Sequence, residues 1–195
     1  LDAKTKSISK PIYGINTGFG SLHDRSISDE NLEQLQVNLV KSHACGMGDE
    51  VPEEIVQIMI LLKIQGLSYG HSGVQLKTIQ GLINMYNNGI HPLVYQLGSL
   101  GASGDLSPLA HMSLPLLGMG KVRCNGDVLS GEDVLGKFNL EKINLKSKEG
   151  LALLNGTQFM SSYGCWLLIE AEKIMRWADL IGSVSLEAYD GRIEP

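Results

Sequence analysis

The chain has 195 residues, 43% of them hydrophobic and 19% charged, with a formal net charge of -5. That length can bury a core and form one domain, and the composition is that of an ordinary globular protein, which excludes disorder and collagen-like or low-complexity architectures. The acidic balance, with no Lys/Arg cluster interleaved with aromatics, argues against nucleic acid as a partner. The longest clean apolar run, Ile58 to Leu62, is too short to span a membrane.

Along the chain, residues 1–26 are rich in Gly, Ser, Pro and Asn and predict an irregular loop around Gly14-Ile15-Asn16-Thr17-Gly18-Phe19-Gly20. A helix is signalled from Ser28 as N-cap, with Asp29 and Glu30 in its first turn, Ile27 stapled on Leu32, and Leu32, Leu35, Leu39 and His43 on its inward stripe; Gly46 and Gly48 end it. Pro52-Glu53-Glu54 opens a second helix whose apolar residues cover almost every side, so it should be buried. A third is expected from about Ser72 to Tyr86, facing inward through Leu76, Ile79, Ile83 and Tyr86, followed by an extended piece near Pro92 to Tyr95.

Gly98 to Asp105 reads as a Gly-rich loop, then a helix capped by Ser107 with Pro108 at its first position and Pro115 at its end. Lys121 to Leu129, centred on Asn125-Gly126, has the strongest hairpin signal in the chain. Residues 136–150 are charged and weakly periodic, as in a surface connection, and from Phe159 to about Tyr189 a long helix is expected. Cys45, Cys124 and Cys165 form no CxxC pair, which suggests neither a disulfide framework nor a zinc site and fits a reducing, cytoplasmic setting. The chain starts at Leu1 without initiator methionine or apolar leader and stops at Pro195, which reads as an excerpt of a longer protein.

The chemistry concentrates in Gly98-Ser99-Leu100-Gly101-Ala102-Ser103-Gly104-Asp105-Leu106-Ser107-Pro108-Leu109-Ala110-His111. A phosphate-binding loop would need a Gly-Lys-Ser/Thr ending, and no lysine is present; a nucleophile elbow of the Gly-x-Ser-x-Gly type would need glycine where Asp105 stands. Ser103 is a hydroxyl-bearing residue in the middle of the loop, and Gly104, without a Cβ, allows a backbone shape that other residues would resist. An isolated Ala-Ser-Gly would be an ordinary turn. The long flanking match instead resembles the signature of the aromatic amino acid ammonia-lyases, which include histidine, phenylalanine and tyrosine lyases.

In that family the tripeptide cyclises with loss of two waters to a methylidene-imidazolone ring, a prosthetic group made by the chain itself, so the resemblance implies no external cofactor and no metal. Tyr13-Gly14-Ile15-Asn16-Thr17-Gly18-Phe19-Gly20 is similar to the family's N-terminal loop and implies Tyr13 as the base that takes the substrate β-proton; seen alone, Tyr13 would be a packing residue. Ser42-His43-Ala44-Cys45-Gly46 resembles the motif whose histidine faces the substrate ring, and Asn155-Gly156-Thr157-Gln158 the motif whose asparagine lies near the ring and the substrate carboxylate. Without the family these would be a core histidine and an Asx turn.

The resemblance therefore implies Tyr13, Ala102, Ser103, Gly104 and Asp105 as catalytic or supporting residues, with His43 and Asn155 as substrate contacts. His43 suits the polar ring of histidine or the phenol of tyrosine and would be left unpaired by phenylalanine, and Gln158 leans toward the histidine lyases, converting L-histidine to trans-urocanate and ammonia. Tyrosine as substrate, an aminomutase, and a non-enzymatic helical interaction module are the alternatives. The implied fold is mainly α, with a small β-hairpin, residues 1–195 forming a single N-terminal catalytic portion. The C-terminal helical half of a homotetrameric enzyme would lie outside it, leaving the isolated chain inactive.

Overall fold

The computed structural model describes residues 12–20, 23, 25, 27–100, 104–192 and 194. Helix α1 (Asp29–His43) begins after an extended Ser28, at the expected position, although the Ser28 side chain makes no cap hydrogen bond. Its buried stripe is rotated from the expected one: Leu32, Gln36 and Val40 are buried at successive i, i+4 steps, while Leu35, Leu39 and His43 are half-buried beside them. A glutamine fits there because its Oε1 accepts the Gly150 N–H at 3.0 Å.

Strand β1 (Met47–Glu50) leads into α2 (Glu53–Ser68), which buries Ile55, Val56, Met59, Ile60, Lys63 and Leu67 but leaves Leu61 46% exposed. The next helix, α3 (Leu76–Asn87), starts later than expected and buries Thr78, Leu82 and Met85, with Leu76 in solvent. The cause is non-local. The buried Glu149 carboxylate accepts the Gln75 N–H and the Thr78 hydroxyl, each at 2.7 Å, and so caps α3 from 71 residues or more away.

Beyond the extended residues β2 (His91–Pro92) and β3 (Tyr95–Leu97) comes α4 (Leu106–Ser113), with Asp105, not Ser107, at the N-cap, Ser107 being buried inside the helix. A 3-10 turn over Leu114–Leu117 follows, as Pro115 dictates. The hairpin β4 (Lys121–Cys124) and β5 (Asp127–Ser130) turns on Asn125 and Gly126, both at positive φ. β2 extends it to three strands, and β1 pairs antiparallel with β3 in a separate two-stranded sheet that the sequence did not signal.

The stretch expected on the surface contributes to the core. It begins inside α5 (Gly131–Lys137) and ends at α6 (Glu149–Leu154), and between them Ile143 and Leu145 are buried. The last helix, α7 (Gln158–Ala188), is 31 residues long. Its start packs through Phe159 and Ser162, but residues 171–188 are all exposed, among them Ile174, Met175, Trp177, Leu180, Ile181 and Val184. At 1.5 Å per residue the helix projects roughly 27 Å beyond the core. Among the described residues no helix is long and apolar enough to cross a membrane, and no group of His, Cys, Asp and Glu could hold a metal ion.

Candidate functional site

The loop that carries the tripeptide is tied at both ends. Asp105, only 3% exposed, accepts the Ser99 hydroxyl at 2.8 Å through Oδ1 and the Met160 N–H at 2.9 Å through Oδ2. Its own N–H donates to the Gly156 carbonyl at 2.8 Å. Met160 is the third residue of α7, one of the four whose amides have no partner within the helix, and Thr157 makes no side-chain cap. Asp105 thus closes the loop from Ser99 and caps α7 across 55 residues.

Gly98 and Gly104 flank that loop, and both are in the left-handed half of φ space, at 140° and 97°. A Cβ on Gly98 would lie 2.8 Å from Ser107 Oγ and 3.1 Å from the Gly46 Cα; one on Gly104 would lie 2.5 Å from the Gly156 oxygen. Only glycine fits either place. The Ser42–Gly46 segment and the Asn155–Gln158 segment therefore abut opposite ends of the tripeptide loop. Ala102 and Ser103 themselves lie outside the described residues.

His43, at the C-terminal end of α1, has Nδ1 2.9 Å from the Leu39 carbonyl and 3.1 Å from Ser42 Oγ. A carbonyl only accepts, so in the neutral ring the proton sits on Nδ1 and Nε2 keeps a lone pair for an incoming donor. The segment after it is fixed by His111, whose Nε2 accepts the Gly46 N–H at 3.0 Å and whose ring meets Tyr95 edge to face at 5.1 Å. Burial lowers the His111 pKa, which keeps it neutral and able to accept.

Asn155 ends α6 with an exposed side chain whose Nδ2 donates to the Leu151 carbonyl at 3.2 Å, leaving one N–H and Oδ1 for other partners. Gln158 Oε1 is buried with no hydrogen-bond partner among the described residues and faces Gly156. Tyr13 is 53% exposed and meets Phe19 edge to face at 6.2 Å. Its neighbour Gly14 presses on Leu151, where a Cβ would come within 2.5 Å, so the N-terminal loop docks on the helix that ends at Asn155.

A sequence model of the family described as aromatic amino acid lyase matches residues 2–195. The chain belongs to the aromatic amino acid lyase family. Histidine ammonia-lyase of Streptococcus pyogenes is 47% identical over 189 residues, a match covering 97% of this chain and 37% of that protein. Histidine ammonia-lyase from Trypanosoma cruzi superposes with a TM-score of 0.87 at 38% identity, covering 97% of this chain and 37% of the other. Phenylalanine aminomutase of Pantoea agglomerans does so with a TM-score of 0.88 at 31% identity, covering 100% and 37%. The chain thus spans a little over a third of the length of each of these relatives.

The structure brings Gly104, Asp105 and Gly156 into contact, and places His43 and Asn155 in the segments that abut the loop. Tyr13 is linked to them through Gly14 on Leu151. Reading the motifs missed Lys63, although it breaks an apolar run at i+4 from Met59 and i-4 from Leu67. It is 2% exposed, its Nζ donates to the Asn155 carbonyl at 2.8 Å, and burial pulls its pKa from 10.5 to about 7. The described end of the tripeptide suits a cyclised ring: Gly104 has the positive φ and the missing Cβ that a close approach of its backbone requires, and Gly156 packs directly against it.

Proposed function

We infer that this chain is the ring-bearing N-terminal portion of a histidine ammonia-lyase, residues 1–195 forming a single catalytic portion that needs the remaining helices for activity. The observation that carries the reading is the packing of Gly46 on Gly98 and of Gly156 on Gly104, at the two ends of the loop that carries Ala102-Ser103-Gly104. Cyclisation joins the Gly104 nitrogen to the Ala102 carbonyl carbon, expels that oxygen as one water, and removes the Ser103 hydroxyl with its α-hydrogen as a second. The resulting methylidene-imidazolone would supply an electrophile that no side chain offers.

Around it the chain's own groups bind, orient and move a proton. Nε2 of His43 accepts from the substrate imidazole N–H, which selects histidine over phenylalanine, since a phenyl ring would leave that nitrogen unpaired. The free N–H of Asn155 holds the substrate carboxylate. Tyr13 takes the β-proton; the Cβ–H and Cα–N bonds break, the Cα=Cβ bond of urocanate forms, and ammonia leaves. The exposed apolar face of α7 supports assembly into a homotetramer with the remaining helices, and the three free cysteines support a cytoplasmic setting.

Turnover of histidine, tyrosine and phenylalanine by the full-length protein tests the substrate. Urocanate as the principal product is expected. Preference for phenylalanine would reject the role given to His43, and a β-amino acid product would replace the lyase by an aminomutase.

A further inference from the structure

Lys63 lies in the middle of α2, among Met59, Ile60 and Leu67, with its side chain fully enclosed. A methionine or leucine would fill the same space without desolvating an amine, so packing alone does not account for a lysine. What the lysine adds is one donor. Nζ bonds the carbonyl of Asn155 at 2.8 Å, at the negative end of α6, where a cation is favoured.

That carbonyl belongs to the peptide that joins Asn155 to Gly156. Gly156 is the surface on which Gly104 rests, and its own carbonyl is held by the Asp105 N–H at 2.8 Å. Met160, a turn further on, is held by the Asp105 carboxylate. Residues 155–160 are thus pinned at three points, two of them by Asp105 and the third by Lys63, which comes from outside both motifs. With its carbonyl turned inward to Nζ, Asn155 has an extended backbone and an exposed side chain.

We propose that Lys63 is a positioning residue for the ring-forming loop: its hydrogen bond orients the Asn155–Gly156 peptide, which sets the surface against which Gly104 closes and presents the Asn155 side chain to the substrate. The proposal rests on the reading of Ala102-Ser103-Gly104 as a tripeptide that cyclises. Lys63 touches neither substrate nor ring and acts through its neighbours.

The test uses the full-length enzyme with Lys63→Met, Lys63→Gln and Lys63→Arg, reading three quantities on the folded protein: the two-water deficit of the peptide spanning 98–110, and kcat and KM for histidine. Methionine has no donor, glutamine carries one a bond short of the carbonyl, and arginine keeps both reach and charge. Lys63→Met and Lys63→Gln should lose part of the two-water deficit and on the order of 10- to 100-fold in kcat, with KM moving less than about threefold, because a displaced but intact site binds better than it reacts. Lys63→Arg should recover at least about tenfold of that kcat.

A folded Lys63→Met or Lys63→Gln enzyme with the full deficit and wild-type kcat overturns the proposal, even if its melting temperature has dropped. So does a Lys63→Arg enzyme no better than Lys63→Met. Should the methionine variant fail to fold, the glutamine and arginine variants decide by the same criteria. A wild-type enzyme without the two-water deficit would sink the cyclisation reading itself, which the variants do not address.

Discussion

Replacing Asp105 by alanine removes two hydrogen bonds to a buried carboxylate and leaves the Met160 N–H without a partner at the start of α7. A bond to a charged acceptor contributes about 1.5 to 3 kcal/mol, and loss of an N-cap about 1 kcal/mol in less buried settings. Relief from desolvating the carboxylate offsets part of the sum, so the net loss should be about 3 kcal/mol. Asp105→Asn keeps the shape: its oxygen can still accept from Met160, and its amide can donate to Ser99 Oγ, whose hydroxyl rotates. That variant should lose only about 1 kcal/mol.

Hydrogen–deuterium exchange of the full-length protein, read at the first turn of α7, isolates the effect. The Met160 amide should exchange on the order of 100-fold faster in Asp105→Ala and less than about tenfold faster in Asp105→Asn, each factor of ten corresponding to about 1.4 kcal/mol. Unchanged protection of Met160 in Asp105→Ala would refute the view that this carboxylate caps α7 and closes the loop.

Two more expectations follow from the buried and half-buried groups. Because the folded pKa of Lys63 lies near 7 and its ordinary value is 10.5, the unfolded chain binds more protons between those limits; stability should rise by on the order of 1 to 2 kcal/mol from pH 7 to 8.5, and be lost again as pH falls toward 7. Lys63→Met should flatten that part of the profile in chemical denaturation, and an identical slope in both proteins would contradict the burial of an ionisable amine. His43→Ala should lower kcat/KM for histidine by about 1 to 3 kcal/mol in transition-state binding while leaving phenylalanine turnover, if measurable, within about twofold; equal losses for the two substrates would reject the ring contact.

Much of the fold could be read locally. Ser28 with Asp29 and Glu30 placed the start of α1, Asn125-Gly126 the hairpin, Pro115 the end of α4, and the proline-free stretch after Thr157 the long α7. What escaped was non-local. The pairing of Met47–Glu50 with Tyr95–Leu97 involves strands too short for an alternating pattern, and α3 begins where Glu149 reaches it. Ile143 and Leu145 are buried singly within a charged stretch, so periodicity could not show them.

The site divides in the same way. Gly104, Asp105, His43 and Asn155 stood out as candidates because each sits in a long motif, whereas the contacts that join the motifs, Gly98 on Gly46 and Gly104 on Gly156, belong to the fold. Lys63 bore no motif. Its only signal was a charge at an inward helical position, which a solvated lysine in an apolar run can imitate.

The central claim is that Ala102-Ser103-Gly104 becomes the electrophile, and intact-mass measurement of the full-length protein tests it most directly. The wild type should be lighter than its sequence by two waters and deaminate histidine; Ser103→Ala should be lighter by no more than one, having no β-hydroxyl to lose, and should be inactive. A wild-type protein that deaminates histidine at its full sequence mass would contradict the account.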